Sequence, residues 1–178
     1  MVNTTIAIQI YAKICFEATN SQKKIIEKIS EYLADDDFSR IFVLNGFAGT
    51  GKTTLIAALV AALKELSIKP VLLAPTGRAA KVLARYCGEQ ALTIHKRIYR
   101  QRTNADYESK FSLDFNREQG AVFIVDEASM LSDTTGDGTM FGSGSLLEDL
   151  VSYVRSGRGC RLILVGDKIG RASCRERV

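Results

Sequence analysis

The stretch GFAGTGKTT, residues 46–54, constrains the possible folds of this chain more than any other segment. It matches the pattern G-x-x-x-x-G-K-[ST] in full. An apolar run at 41–45 precedes it and an apolar helical pattern at 53–66 overlaps its end, so the match joins a predicted strand to a predicted helix. Glycines let the backbone curl here and aim its N–H groups at an anion. The sequence therefore predicts a strand, a phosphate-binding loop and a helix in succession.

Short continuous apolar runs alternate with helical patterns along the chain. Strands are predicted at 41–45, 71–74, 121–125 and 161–165, and helices at 22–33, 53–66, 77–86 and 146–155. Continuous apolar runs are typical of strands covered on both faces, and their alternation with helices favours parallel pairing. The predicted fold class is α/β, a three-layer sandwich with a mainly parallel sheet of the P-loop NTPase type. Residues 1–12 fit a strand or a helix, and 103–120 is expected to form a small hairpin.

The composition limits the class of protein. The chain has 178 residues, of which 46% are hydrophobic and 25% charged, and these proportions are typical of a globular domain rather than a disordered one. No segment approaches the ~18 consecutive apolar residues of a membrane span, and the start lacks a signal peptide, so we expect a cytoplasmic protein. The cysteines form no Cys-x-x-Cys pair, which argues against a zinc site and a disulfide framework.

The phosphate-binding loop gives its side chains separate roles. Its backbone N–H groups and the positive end of the following helix are expected to face the β- and γ-phosphates of ATP. Lys52 supplies a positive charge, and the Thr53 hydroxyl a ligand for Mg²⁺. The predicted ATP-binding residues of the loop are Gly46, Phe47, Ala48, Gly49, Thr50, Gly51, Lys52, Thr53 and Thr54. The alternative is a glycine-rich structural turn.

The stretch VFIVDEASM, residues 122–130, offers the second half of a hydrolytic site. Asp126, at the carboxyl end of a buried strand, is predicted to hold Mg²⁺. Glu127 is predicted to orient and deprotonate the attacking water, so Lys52 and Glu127 are the predicted catalytic residues. Such a glutamate favours an ATPase over a P-loop kinase, which activates a substrate hydroxyl instead. The alternative is that the two acidic residues cap the next helix.

Two basic clusters follow the second predicted strand. On the helix after APTG, the residues Arg78, Lys81 and Arg85 share one face, opposite a predicted packing face of Ala79, Val82, Leu83 and Tyr86. The second cluster, in TIHKRIYRQR, combines Tyr99 with His95, Lys96, Arg97, Arg100 and Arg102. Cations mixed with an aromatic ring suit a single-stranded nucleic acid, whose bases stack on the ring. The alternative is that both clusters are solvated surfaces.

Six segments together resemble the helicase motifs of superfamily 1 DNA helicases of the RecD/Dda type. They are FEATNSQKKIIEKI, GFAGTGKTT, APTGRAAKVL, TIHK, FIVDEASML and LILVGD, and they span residues 16–167 in the expected order. The resemblance implies a RecA-like ATPase domain, the first of two, with ATP bound in the cleft between them. It also implies ATP-driven movement on single-stranded DNA, usually 5′ to 3′, and a role in DNA repair or recombination.

The resemblance also implies roles for individual residues. Gln22 would read the adenine edge and Phe16 would contact the ring, whereas Gly166 and Asp167 would begin the segment that couples nucleotide state to DNA. The implied DNA contacts are Pro75, Thr76, Gly77, Arg78, Thr93, His95 and Lys96. Two alternatives stay open, because Gln22 also fits the exposed first turn of a capped helix and His95 also fits a buried structural role.

Residues 169–178, IGRASCRERV, depart from the family pattern, in which a glutamine that senses the γ-phosphate follows within a QLP run. They resemble a translated sequencing adapter joined to a truncated reading frame, and a natural basic tail is the alternative. Three arginines and one glutamate give them +2 of the formal net charge of +4, so the rest of the chain is nearly neutral. We expect 1–168 to be a partial domain, incomplete at its C-terminus, that binds Mg-ATP weakly and does not unwind DNA.

Two other classes of function remain open at this point. One is a P-loop ATPase or kinase that does not act on nucleic acid. The other is a nucleotide-gated module that binds nucleic acid without hydrolysis. The first predicts turnover that is indifferent to single-stranded DNA, and the second predicts that the substitution Glu127→Gln changes nothing.

Overall fold

The computed structural model describes residues 2–14, 17–47, 49–103, 109–131 and 142–167. The helices are α1 Val2–Lys13, α2 Asn20–Ala34, α3 Lys52–Glu65, α4 Gly77–Cys87, α5 Ile94–Ile98 and α6 Leu146–Ser156. The strands are β1 Ile41–Asn45, β2 Pro70–Ala74, β3 Ala91–Thr93, β4 Tyr99–Thr103, β5 Ser109–Leu113, β6 Val122–Val125 and β7 Arg161–Gly166. A single 3-10 turn, Ala128–Met130, follows β6. No helix in this described part has both the length and the apolar character that crossing a membrane requires.

Five strands form one parallel sheet in the order β1-β7-β6-β2-β3. Asn45 at the end of β1 lies opposite Gly166 at the end of β7, and Ala74 at the end of β2 lies opposite Thr93 at the end of β3. All five strands therefore end at one edge of the sheet, which is where α/β proteins usually bind ligands. Strands β4 and β5 form a separate antiparallel hairpin.

Side chains of the central strands alternate between two cores. Phe42 of β1 and Ile124 of β6 pack into a core shared with α1, α2, α3 and α4. Phe123 of β6 and Leu164 of β7 pack into a second core on the opposite face, with α5 and α6. Each fully buried aliphatic or aromatic side chain contributes roughly 1.5–3 kcal/mol. These two cores confirm the predicted three-layer α/β sandwich.

Four elements differ from the prediction: α1, the β4–β5 hairpin, β3 and α5. Residues 2–13, left open between strand and helix, form α1, which packs on α2 and α3. The hairpin was expected at 103–120, but its strands are Tyr99–Thr103 and Ser109–Leu113, so it begins four residues earlier. Strand β3 and helix α5, three and five residues long, were not predicted, since so few residues carry no periodic signal.

Candidate nucleotide site and nucleic-acid surface

The phosphate-binding loop connects β1 to α3 at the carboxyl edge of the sheet. Gly49 and Gly51 have φ angles of 79° and 81°, which only glycine adopts without strain. Gly46 N–H donates to the Gly166 carbonyl oxygen at 3.1 Å, so the start of the loop is tied to the end of β7. The loop is closed by Thr50, whose hydroxyl donates to the Phe47 carbonyl oxygen at 2.8 Å. Ala48 lies outside the described residues.

The first turn of α3 is suited to an anion. The helix begins at Lys52 directly after Gly51, which has no side chain to cap the first N–H groups. Those N–H groups and the helix dipole together favour a negatively charged ligand at this end. Thr53 and Thr54 of this turn line a cavity of about 370 Å³, with Lys52 at its wall. This arrangement fits the predicted phosphate site.

Lys52 has three hydrogen-bond acceptors around its ammonium group. Its Nζ donates to the carbonyl oxygens of Gly46 and Phe47 at 2.7 and 2.8 Å. It also donates to Asp167 Oδ1 at 2.6 Å, which forms an ion pair across the cavity. The side chain of Lys52 is only 15% exposed, whereas that of Asp167 is 53% exposed. The ammonium is therefore held in place by the loop and by the residue that follows β7.

Two acidic residues follow β6 in the same cavity. Asp126 and Glu127 line it together with Thr53, Gly166 and Asp167. Burial raises the pKa of Asp126, and the neighbouring Asp167 carboxylate acts in the same direction, while the Glu127 N–H and Lys52 oppose the shift. Asp126 Oδ1 accepts a hydrogen bond from the Glu127 N–H at 3.0 Å. A desolvated carboxylate facing a hydroxyl is a donor set that Mg²⁺ prefers, so Thr53 and Asp126 fit the predicted metal site.

Glu127 is one of two described non-glycine residues with positive φ, at 56°. This left-handed conformation costs roughly 1–2 kcal/mol for an ordinary side chain. Strained backbone of this kind is concentrated at functional sites. The conformation leaves the Glu127 side chain exposed at the cavity, beside Asp126. The sequence contained no signal for it, since glutamate rarely adopts a positive φ.

A second, larger cavity adjoins the loop on the α2 side. It has a volume of about 770 Å³ and is lined by Gln22, Ile25, Leu44, Phe47 and other residues. A Cβ atom added to Gly51 would lie 3.0 Å from Gln22 Nε2, so this amide reaches the loop. Apolar walls and an exposed Phe47 ring suit a nucleotide base. Phe16, the other residue expected to touch the base, lies outside the described residues.

Gln22 is also part of a capping box at the start of α2. Its Oε1 accepts from Thr19 N–H at 2.9 Å and from the Thr19 hydroxyl at 3.2 Å, and Thr19 Oγ1 accepts from Gln22 N–H in return. The alternative considered for Gln22, a residue in the first turn of a capped helix, therefore describes its local structure. The same side chain still lines the large cavity, so the capping role and the predicted base contact are compatible.

The residues expected to contact DNA follow β2 and β3, which are neighbours in the sheet. Thr76 caps α4 and Thr93 caps α5, each by accepting from an N–H group at 3.2 Å. Seven candidates lie at these two strand ends: Pro75, Thr76, Gly77, Arg78, Thr93, His95 and Lys96. The structure therefore places them together at the edge that also carries the phosphate-binding loop.

His95 is exposed on α5, so the buried structural alternative for it was wrong. Its ring lies 5.7 Å from the Tyr99 ring, at an interplanar angle of 45°. Desolvation lowers the pKa of His95, which favours the neutral ring at pH 7. A neutral imidazole beside a tyrosine ring is better suited to stacking than to binding a phosphate charge.

Charges from elsewhere in the chain change the second basic cluster. Arg97 pairs with Glu118 at 2.6 Å, and Arg100 pairs with Asp114 at 3.0 Å. Two of the predicted cations are therefore neutralised, while Lys96 and His95 stay exposed. The side chain of Arg102 lies outside the described residues.

The predicted packing face of α4 was partly wrong. Ala80 and Leu83 are its buried residues, whereas Val82 and Tyr86 are 48% and 63% exposed. Tyr86 instead lines the cavity of Lys52 and Asp126, a placement that sequence analysis missed. A helical pattern shows which residues share a face, but it does not show how a short helix is rotated against the sheet.

The parallel sheet, the glycine loop at the start of α3 and the acidic pair after β6 define a P-loop nucleotide-binding domain. The sequence pattern of a family described as AAA domain matches residues 17–173. The chain belongs to this family and represents the N-terminal ATPase region of superfamily 1 helicases of the RecD/Dda type, as expected.

Three relatives illustrate the similarity. The chain is 30% identical over 128 residues to the ATP-dependent RecD2 DNA helicase of Deinococcus radiodurans. This match covers 72% of this chain and 15% of the relative. It is 36% identical over 151 residues to the RecBCD enzyme subunit RecD of Mycobacterium tuberculosis, covering 71% and 23%. It is 37% identical over 92 residues to the ATP-dependent DNA helicase dda of Enterobacteria phage T4, covering 49% and 20%. The chain thus spans less than a quarter of the length of each of these relatives.

Proposed function

We propose that this chain is the ATP-binding part of a DNA helicase or translocase that hydrolyses Mg-ATP and moves on single-stranded DNA. The observation that carries the proposal is the shared edge of the sheet. The loop with Lys52 ends β1, the acidic pair ends β6, and the candidate DNA contacts end β2 and β3. A change at the nucleotide therefore lies next to the surface that would hold DNA.

The chemistry assigns one task to each group. Mg²⁺, held by Thr53 and Asp126, would neutralise the charge of the β- and γ-phosphates. Lys52 would bind the phosphates as a positive charge, and Glu127 would orient and deprotonate the water that attacks the γ-phosphate. Gln22 and Phe47 would contact the base from the larger cavity. The cited relatives are named ATP-dependent DNA helicases or a RecBCD subunit, and this supports the same energy source here.

The candidate DNA surface has two parts. Arg78, Lys81 and Arg85 are exposed on α4 and make no salt bridge within the described residues, so their charges are available to phosphates. His95 and Lys96 lie on α5, which packs on the opposite face of the sheet from α4 but begins at the end of β3, the neighbour of β2. The proposal includes a second RecA-like domain that completes the ATP site, a role in DNA repair or recombination, and a cytoplasmic location.

Replacing Glu127 tests the proposal in a protein that joins this chain to a second RecA-like domain. We expect Glu127→Gln to preserve ATP binding and to lower the DNA-stimulated rate of hydrolysis by about 10²-fold or more, because a positioned general base contributes 10²–10⁴. Phosphate release is measured with and without single-stranded DNA at one stated salt concentration. Glu148→Gln, at an exposed position on α6, is the matched control and should leave the rate unchanged.

Two results would contradict this function. Hydrolysis that single-stranded DNA does not stimulate would indicate an ATPase that acts elsewhere. An unchanged rate in Glu127→Gln would indicate a module that binds nucleotide without using this glutamate.

A further inference from the structure

The ammonium group of Lys52 has no hydrogen left to donate. A lysine ammonium carries three donors, and the three acceptors around Lys52 Nζ lie at 2.6, 2.7 and 2.8 Å. Two of these acceptors are carbonyl oxygens of the phosphate-binding loop, and the third is a carboxylate oxygen of Asp167. A phosphate oxygen that binds this ammonium must therefore replace one of them.

Asp167 is the partner that can leave most easily. The carbonyl oxygens of Gly46 and Phe47 belong to the loop backbone, which is tied to β7 through the 3.1 Å bond between Gly46 N–H and the Gly166 carbonyl oxygen. The Asp167 side chain is 53% exposed, so water can solvate its carboxylate when the ion pair opens. An ion pair with one solvent-exposed partner contributes less to stability than a fully buried pair, and its exposed partner is the one that can leave.

The other negative charges in the cavity also favour release of Asp167 from Lys52 when a nucleotide binds. Asp126 and Glu127 share the cavity with Asp167, and the Asp167 carboxylate is close enough to act on Asp126 electrostatically. A triphosphate entering this cavity adds further negative charge. Asp126 would share the bound Mg²⁺ with the phosphates, whereas Asp167 is the carboxylate paired with Lys52 and would compete with the phosphates for it.

We propose that Asp167 is a positioning residue that competes with the γ-phosphate for Lys52, so that nucleotide binding and the Lys52–Asp167 ion pair exclude each other. The inference deepens the proposed function and rests on it. The carboxylate holds the Lys52 ammonium through the 2.6 Å hydrogen bond and gives it up when a triphosphate arrives.

Removing the competing carboxylate should tighten nucleotide binding. We expect Asp167→Asn in the 178-residue chain to bind a fluorescent, nonhydrolysable ATP analogue with Mg²⁺ about three- to fivefold more tightly than the unsubstituted chain, the size expected for an exposed ion pair. The dissociation constant is measured by fluorescence anisotropy at fixed salt. Circular dichroism checks folding, and Asp167→Ser is a second variant that also removes the carboxylate.

Two controls separate competition for Lys52 from a general change in charge. Glu127→Gln removes one negative charge from the same cavity without touching the Lys52 ammonium, and it should change the affinity less than Asp167→Asn does. In a Lys52→Met background, Asp167→Asn should have no effect, since the competing partners no longer share a cation. This double-mutant cycle measures the coupling directly.

Each outcome bears on the inference. Unchanged or weaker binding in both Asp167 variants overturns it. Equal tightening by Glu127→Gln, or tightening that persists without Lys52, also overturns it, because either result shows an effect of net charge alone. Failure of the proposed function is distinguishable, since it appears as hydrolysis that single-stranded DNA does not stimulate, whereas this inference is read from the affinity for the analogue alone.

Discussion

The Glu118 carboxylate binds two cations from different parts of the fold. Its oxygens accept from Lys69 Nζ at 2.8 and 2.9 Å and from Arg97 at 2.6 Å. Burial alone would raise the pKa of Glu118, but the hydrogen bonds and charges of Lys69 and Arg97 outweigh it, so the pKa is lowered. The carboxylate therefore ties Arg97 of α5 to the segment before β6.

At the scale of this residue, we expect Glu118→Gln to lower the free energy of unfolding by about 1–3 kcal/mol at pH 7, because Arg97 loses its charged partner. A lowered pKa stabilises the fold above the ordinary carboxyl pKa, and this contribution is lost as the pH falls through the lowered value. The difference between the two proteins should therefore shrink at acidic pH. Urea denaturation at several pH values measures it.

The exposed Glu148 provides the comparison for Glu118. Glu148→Gln should leave the free energy of unfolding within about 0.5 kcal/mol of the unsubstituted value, as is usual at a surface position. A loss in Glu118→Gln that is the same at every pH would show that the carboxylate charge is not its cause.

The first turn of α2 carries both the N-terminal cap of the helix and part of the wall of the large cavity. The Thr19 hydroxyl and N–H group hold Gln22 Oε1, so the amide Nε2 is directed to the loop at Gly51. An oxygen with two lone pairs that already accepts two hydrogen bonds leaves the Nε2 hydrogens as the part of Gln22 that meets a ligand. The cap and the base contact thus depend on one side chain.

At the scale of this element, Thr19→Ala should lower the free energy of unfolding by about 1 kcal/mol, the usual value of an N-cap. It should also weaken binding of the ATP analogue, because Gln22 Oε1 loses the Thr19 hydroxyl, one of the two donors that orient it. Thermal denaturation and the anisotropy assay give the two quantities.

Ser145 supplies a cap of the same kind away from the cavity, since its hydroxyl accepts from Glu148 N–H at 3.4 Å at the start of α6. Ser145→Ala should cost similar stability and leave the affinity for nucleotide unchanged. Equal affinities in both variants would mean that the capping box does not orient Gln22 for binding.

The opposite end of α2 is anchored near the start of β7, away from the carboxyl ends of the strands. The buried Tyr32 hydroxyl accepts from Leu162 N–H at 3.0 Å and donates to the Leu162 carbonyl oxygen at 2.9 Å. Arg161 Nη1 donates to the Tyr32 carbonyl oxygen at 3.0 Å, and its guanidinium lies 4.5 Å from the centroid of the Phe38 ring. These contacts join α2 to β7 far from the nucleotide cavities, since ten helical residues separate Gln22 from Tyr32 by ~15 Å.

The change Tyr32→Phe should lower the free energy of unfolding by about 1–3 kcal/mol, because buried polar groups lose a partner. The affinity for the ATP analogue should stay the same, since the change lies at the far edge. Chemical denaturation and anisotropy measure the two quantities, and a weakened affinity would show that the α2–β7 anchor also shapes the nucleotide site.

Much of the fold followed from local patterns. Continuous apolar runs placed β1, β2, β6 and β7 within a residue or two, because strands buried on both faces leave no polar positions. The loop at 46–54 and the pair at 126–127 were recognised because their chemistry requires particular residue types at adjacent positions. Short elements such as β3 and α5 carried too little pattern to be predicted.

Local sequence patterns specify the strands, the phosphate-binding loop and the identity of the acidic pair, since neighbouring residues encode all three. The pairing of distant charges, in contrast, depends on the folded arrangement. Asp167 pairs with Lys52 from 115 positions away, and Glu118 neutralises Arg97 from 21 positions away. The physical reason is that strand order, rather than sequence distance, brings these side chains within 3 Å, and strand order depends on how the whole sheet packs.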